Sequence, residues 1–203
     1  MTLYDIKPKF QALLRPLTAR LNTLGVTANQ VTVVAMIASV ALGAWVTLQA
    51  ERREWFLLLP LWLFLRMALN AIDGMLAREF GQKSALGAYL NELSDVISDA
   101  ALYLPFARVA PFDLAGVGAV AFAAAVSEMA GALGPMVGAP RRYDGPMGKS
   151  DRAFVFGAVG LWIGLGLALP PLVAWLMPIL VVLIVWNIVN RVRRGVAAAG
   201  GAS

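Results

Sequence analysis

The chain has 203 residues, 60% of them hydrophobic and only 14% charged, with a mean hydropathy of +0.72 and a formal net charge of +5. Soluble domains run nearer half apolar and a quarter charged, so a water-soluble globule is excluded, and disorder is excluded because so apolar a chain has ample surface to bury. Neither Cys nor His occurs, which rules out disulfides, thiolate or imidazole metal sites and Ser-His or Cys-His nucleophile pairs, and leaves acid–base chemistry to carboxylates.

Residues 1–30 lack the basic, then apolar, then small-residue layout of a cleavable signal, so this segment is expected to stay on the mature protein. Within it Leu3, Ile6, Phe10, Leu13, Leu14, Leu17 and Leu21 recur at helical spacing, with Lys7, Lys9, Arg15 and Arg20 between them. That pattern predicts an amphipathic helix in the cytoplasmic headgroup layer, bent at Pro8 and Pro16.

A helix crossing hydrocarbon needs about 20 mainly apolar residues, and six such runs follow. The first, 31–50, is uncharged, and the second, 55–72, carries only Arg66 before running on through Asp73 and Gly74. The third, from Ser84 to about Ala107, holds Glu92, Asp95 and Asp99, which must face protein or a watery cavity rather than lipid. The fourth runs from Leu114 to about Val137 with Glu128 as its lone charge. Residues 153–190 carry no charge at all, and Pro170-Pro171 divides that run into a hairpin of two crossings. Gly131 and Gly134, like Gly160 and Gly164, are expected to let neighbouring helices approach closely. The expected architecture is therefore an all-α integral membrane protein: one domain over 1–195 with six transmembrane helices, an amphipathic lead-in over 1–30 and a flexible tail over 196–203.

Of the 17 Lys and Arg residues, 13 flank the spans on the side of both termini, only Arg52, Arg53 and Arg108 lie on the other, and Arg66 sits inside a span. By the positive-inside rule both termini are cytoplasmic. Because the basic residues lie next to membrane spans, anionic headgroups and phosphorylated substrates are the expected partners, and nucleic acid is not.

Chemistry concentrates where the second and third spans meet. Arg66, Asn70, Asp73 and Ala77 share one face of the second, and Gly87, Asn91, Asp95 and Asp99 share one face of the third. The short link from Arg78 to Gly87 makes the two antiparallel neighbours, so these faces can converge near the cytoplasmic end and offer hard oxygen ligands of the kind Mg²⁺ or Mn²⁺ prefers. Asp99 lies ~6 Å deeper than Asp95, and Arg66 ~10 Å deeper than Asp73, at 1.5 Å per residue. That depth predicts an Asp99–Arg66 pair, with Glu128 joining it. Glu92 points about 100° away from Asn91, toward a neighbouring helix. A transporter site would sit nearer mid-depth, between repeated halves that this sequence lacks.

The segment resembles the signature of the CDP-alcohol phosphotransferases (CDP-alcohol phosphatidyltransferases), D-x-x-D-G-x-x-A-R, about eight residues, then G-x-x-x-D-x-x-x-D. Asp73, Gly74, Ala77, Arg78, Gly87 and Asp95 fall on signature positions, and Asn70 and Asn91 stand where the family has its first and third aspartates. Ala28-Asn29-Gln30-Val31-Thr32 is similar to the Pro-Asn-x-x-Thr that opens the first span in many members.

The resemblance implies transfer of a phosphatidyl or phosphoalcohol group from a CDP-linked donor such as CDP-diacylglycerol to an acceptor hydroxyl in phospholipid biosynthesis, releasing CMP at a cytoplasmic face of the inner membrane. It implies Asp95 as the base, and Asp73, Asp95, Asn70 and Asn91 around one or two Mg²⁺ or Mn²⁺ ions. It also implies Asn29, Thr32, Asp73, Gly74, Ala77, Arg78 and Gly87 around the CDP moiety, and a homodimer as a possible assembly. Gly148-Lys149 resembles a basic element that contacts the acceptor, which makes Arg141, Arg142, Lys149 and Arg152 candidates for acceptor binding. Several guanidinium groups there would suit a phosphorylated acceptor. Four aspartates match the charge of two divalent cations, whereas Asp73 and Asp95 alone match one. The alternative is a protein that binds a CDP-lipid without turning it over.

Overall fold

The computed structural model describes the backbone of residues 3–200 and the side chains of residues 9–200, and among these it is all-helical, with no strand. Helix α1 (Leu3–Thr23) runs unbroken through Pro8 and Pro16. Leu3, Ile6 and Lys7 of its expected amphipathic pattern lie outside the described side chains. Phe10 meets Phe64 edge to face at 6.1 Å, Leu14 and Leu21 pack against a cluster containing Ile72, Met75 and Leu76, and Leu13 and Leu17 are exposed. Arg15 donates to both oxygens of Glu79 at 2.9 and 3.1 Å.

A turn through Gly25, which has a positive φ of 77°, leads to Thr27, whose hydroxyl accepts from the Gln30 amide while the Gln30 side chain accepts from the Thr27 amide. This reciprocal cap starts α2 (Ala28–Leu48). Gln82 locks the start of α2 to the far link, accepting from the Ala28 amide at 2.7 Å and donating to Asn22 at 2.8 Å. A short 3-10 helix, Arg53–Leu57, feeds α3 (Leu58–Glu79), and Ser84 caps α4 (Ala85–Tyr103) by accepting from the Gly87 amide. Beyond Tyr103 the third predicted span continues as a 3-10 turn, Leu104–Arg108, because Pro105 has no amide hydrogen for an α-helical bond. Asp113 caps α5 (Leu114–Ala132), whose end tightens into Gly134–Val137.

The uncharged run at 153–190 divides earlier than its proline pair. Helix α6 (Lys149–Gly164) ends where Gly166 turns with a φ of 71°, and a 3-10 turn from Pro171 to Trp175 leads into α7 (Leu176–Gly200). Helix α7 extends through Gly200, over part of the segment expected to be a flexible tail (196–203), in keeping with Ala197, Ala198 and Ala199 being strong helix formers; residues 201–203 lie outside the described ones.

Among the described residues four stretches are long and apolar enough to cross a membrane: Ala28–Leu48, Arg53–Glu79, Leu114–Val137 and Pro171–Gly200. Of the other two predicted spans, α4 carries three carboxylates and α6 has only 16 residues. Helix α4 packs between α2 and α5, α3 lies against α2 and α6, and α7 lies along α5. Away from the basic end the core is aromatic: Tyr103 stacks on Phe156 at 3.8 Å, and Phe106 meets Phe56 and Phe156 edge to face.

Lipid tails are as apolar as these side chains, so close contact must hold such helices together. The tightest is at Gly43, where a Cβ would come within 2.2 Å of the Ala101 carbonyl oxygen on α4. Gly43→Ala should therefore lower stability by about 1–3 kcal/mol, read as a lower unfolding temperature in detergent. Gly118→Ala, in open space on α5, should leave it unchanged or raise it.

Candidate functional site

At the end of the bundle where α2, α4 and α6 begin and α3, α5 and α7 finish, polar side chains turn inward. Asp73, buried near the last turn of α3, accepts from the Thr32 hydroxyl at 2.8 Å. Thr32 can reach it because its position one turn into α2 faces α3, and the same hydroxyl also lies 3.0 Å from the Ala28 carbonyl. Asp95, on the facing side of α4, holds Lys149 on its Oδ1, and the same oxygen accepts from Arg66 at 3.2 Å. Lys149 is the first residue of α6, so that helix starts directly over the carboxylate. Asp73, Asp95 and Lys149 are close enough to act on one another electrostatically.

The remaining signature positions surround this centre. Asn70 and Asn91 are half-buried and carry no side-chain hydrogen bond among the described residues. Asn29 donates to Ser84 at 3.5 Å, and its Oδ1 lies 2.7 Å from where a Cβ on Gly87 would sit, so a larger residue there would push the Asn29 amide aside. Arg78 folds back so that its guanidinium covers Gly74, and Ala77 is half-buried on the same turn.

Deeper in, charges interlock. Arg66 binds Asp99 at 2.5 Å, and Asp99 also takes Arg152 at 3.2 Å and the Tyr103 hydroxyl at 3.2 Å. Arg152 bridges on to Glu128 at 3.1 Å, and Glu128 is reached in turn by Arg141 at 3.3 Å and Arg191 at 3.4 Å. The predicted Asp99–Arg66 pair and the entry of Glu128 into its network are thus present. Glu92, expected to face a neighbouring helix, pairs instead with Arg141 in the loop that precedes α6.

The acceptor set Arg141, Arg142, Lys149 and Arg152 is not presented as an open basic patch. Arg152 has no exposed surface, and its remaining donor goes to the Met147 carbonyl; it is a brace between α4, α5 and α6. The signal for this was the inward periodicity of Lys149, Arg152 and Phe156, one turn apart. Arg142 donates to Asp144 at 2.8 Å, and Arg194 takes the other oxygen at 2.6 Å. Sequence reasoning also passed over Ser127 and Asn187, which join α5 to α7 at 2.8 Å, and Arg191, which donates to the Ser127 carbonyl at 2.6 Å. Asn187 was the one polar group buried in an otherwise apolar run.

Residues 25–186 match the model of the CDP-alcohol phosphatidyltransferase family. The chain belongs to that family. It is 47% identical over 197 residues to the Escherichia coli inner membrane protein YnbA, covering 95% of this chain and 96% of that one. It is 31% identical over 100 residues to the archaetidylinositol phosphate synthase of Pyrococcus horikoshii, about half of each chain (49% and 50%). The fold is shared with two crystal structures of phosphatidylinositol phosphate synthase from Mycobacterium tuberculosis, both with a TM-score of 0.71 over 89% of this chain. One, in complex with manganese and citrate, is 22% identical and covered over 87% of its length; the other, with CDP-DAG bound, is 24% identical and covered over 92%.

The donors available for a divalent cation are two carboxylates, Asp73 and Asp95, and two neutral amides, Asn70 and Asn91. Among the described residues no three acidic side chains gather as a ligand group. Hard oxygens with two negative charges fit one Mg²⁺ or Mn²⁺ ion and do not balance two. Thr32 holds Asp73, while Lys149 and Arg66 already neutralise Asp95.

Removing Arg152 would leave Asp99 and Glu128 facing one another across a buried gap. Arg152→Met should cost about 3 kcal/mol or more, seen as loss of a monodisperse, cooperatively melting protein in detergent. In the outer loop, burial pushes the Asp144 carboxyl up, but its hydrogen bonds from Arg142 and Arg194 outweigh that and hold it below the usual range. The stability it contributes is complete above the ordinary carboxylate pKa and is lost as pH falls through the depressed value. Asp144→Asn should remove that component of acid sensitivity in melts taken between neutral and acidic pH.

Proposed function

We propose that this chain transfers a phosphatidyl group from a CDP-linked lipid, CDP-diacylglycerol being the best candidate, to the hydroxyl of an acceptor alcohol, releasing CMP at the cytoplasmic face of the inner membrane. The observation that carries this reading is the proximity of Asp73 on α3 to Asp95 on α4 and to Lys149, which Asp95 holds at the start of α6. We place six crossings, α2 to α7, with both termini cytoplasmic, because the basic residues gather at the end where the polar centre opens. Helix α1, clamped to α3 through Arg15 and Glu79, would lie along the headgroup layer and keep its exposed Leu13 and Leu17 in lipid.

Each group has a part in the chemistry. The donor diphosphate would enter beside Gly74 and Gly87 by moving aside the Arg78 guanidinium and the Asn29 amide that lie over them, which would leave Arg78, Asn29 and Thr32 around the CDP moiety. Lys149 would pass from Asp95 to a phosphate oxygen, leaving the Asp95 carboxylate able to accept the proton of the acceptor hydroxyl. The acceptor oxygen forms its bond to the phosphatidyl phosphorus as the bond from that phosphorus to the bridging oxygen of CMP breaks. A single Mg²⁺ or Mn²⁺ held by Asp73, Asp95 and the two asparagine amides would offset charge on the departing CMP. Holding both reactants at the membrane surface supplies the orientation the step needs.

Purified full-length protein in detergent or nanodiscs should release CMP from CDP-diacylglycerol when given Mg²⁺ or Mn²⁺ and a suitable alcohol. Asp95→Asn should lower that rate about 10²-fold or more, as loss of a positioned base does. Binding of CDP-diacylglycerol without CMP release would show instead a lipid-nucleotide binding protein. Converting Asn70 and Asn91 together to Asp should tighten Mn²⁺ binding and shift the metal dependence of turnover toward lower concentration.

A further inference from the structure

The cations expected to receive a phosphorylated acceptor are already occupied by carboxylates of the chain itself. In and around the polar centre five anions, Asp73, Asp95, Asp99, Glu92 and Glu128, are interleaved with five cations, Arg66, Arg141, Lys149, Arg152 and Arg191. That set is neutral before any ligand arrives. Arg152 and Arg191 are fully or nearly fully buried, and the Nε donors of Arg141 and Arg191 that lack partners are closed off from the surface. Lys149, the member nearest the proposed donor, is the one needed for its diphosphate.

At the rim the same pattern repeats. Asp144 offers one oxygen to Arg142 at 2.8 Å and the other to Arg194 at 2.6 Å, so a carboxylate of the chain fills the seat between two guanidinium groups where a phosphate monoester would bind. The neighbouring cation on α7, Arg193, is exposed and lies about 100° around the helix from Arg194. A dianionic phosphate on the acceptor would have to displace Asp144 or add charge to a balanced interior, and charge is costly where water is scarce.

We infer that the acceptor is an alcohol carrying no phosphate group and no net negative charge, such as a free polyol or a zwitterionic hydroxy compound. This rests on the proposed transferase reading and specifies its second substrate. Asp144 acts as a resident anion that excludes phosphorylated acceptors, a form of selection by a built-in competitor.

Two measurements on the full-length protein test this. In the first, protein saturated with CDP to fill the donor site is melted against increasing inorganic phosphate. The wild type should show no rise in unfolding temperature, whereas Asp144→Asn, which frees Arg142 and Arg194, should be stabilised by phosphate in the millimolar range. Equal stabilisation of the wild type overturns the inference, as does failure of phosphate to stabilise the variant. Should Asp144→Asn prove unstable, Asp144→Ser, which also removes the carboxylate between Arg142 and Arg194, provides the same comparison.

In the second, CMP release from CDP-diacylglycerol is compared for matched acceptors differing only by a phosphate: inositol against inositol 1-phosphate, glycerol against glycerol 3-phosphate, and serine against phosphoserine. The unphosphorylated member of a productive pair should have the higher kcat/KM by about tenfold or more, and Asp144→Asn should narrow that ratio by about fivefold, the scale of one exposed ion pair. Preference for a phosphorylated acceptor overturns this inference while leaving the transferase reading intact. Absence of both CDP binding and CMP release overturns the transferase reading itself.

Discussion

Arg152 enters the bundle with no exposed surface and is held by Asp99 from α4, Glu128 from α5 and the Tyr103 hydroxyl. A lone guanidinium or carboxylate at that depth would face the full cost of leaving water. Placed together, each group supplies what its neighbour needs, and the cost of burial becomes a requirement on where five helices must stand. Arg66 on α3 and Arg191 on α7 extend the same lattice. In a medium where apolar contact gives little preference for one helix over another, this charge lattice fixes which helices are neighbours and at what rotation. The apolar contacts at Gly43 and among the aromatic side chains then close the remaining gaps.

The proposed reaction centre is the upper edge of that lattice. Asp95 belongs to both, with one oxygen shared between Arg66 below and Lys149 at the helix start. Its orientation is set by the interior even without a ligand. Asp73 is fixed from the other side by Thr32, itself placed by the cap at Thr27 and by the Gln82 bridge to the α3–α4 link. Rigid placement of the two carboxylates on separate helices, each oriented by a further hydrogen bond, is the kind of preorganisation that positioning catalysis requires.

Much of this was legible in the linear chain for one physical reason: polar residues inside apolar runs must share a face. The spacing of Arg66, Asn70 and Asp73 against Gly87, Asn91, Asp95 and Asp99 therefore disclosed both the pair of facing helices and the Asp99–Arg66 contact. What stayed hidden were partners that the pattern assigned elsewhere. Arg191 reads as an ordinary basic residue at a span end and Arg152 as a candidate for acceptor binding, because a charge count does not record that a helix such as α6 begins inside the polar centre. The break after Gly164 was placed at the prolines because their chemistry is visible in sequence, whereas a glycine with positive φ is visible only once the chain is folded. The amphipathic pattern of α1 did reveal the face carrying Phe10, Leu14 and Leu21, but could not say that α3 is what it meets.

The two asparagines take their meaning from the lattice. In a site of four aspartates, charge balance would come from bound cations. Here two of those charges are gone, and Lys149 and Arg66 lie on one of the two that remain. The chain has in effect exchanged part of an external cation requirement for internal ammonium and guanidinium groups. Such an exchange leaves room for the two negative charges of a donor diphosphate accompanied by one divalent ion, and the balance closes at that point. Charge brought by a second substrate would need a second external cation, for which Asn70 and Asn91 no longer provide carboxylates. The loss of acidic ligands at the donor site and the occupation of Arg142 and Arg194 by Asp144 at the rim therefore constrain the chemistry in the same direction.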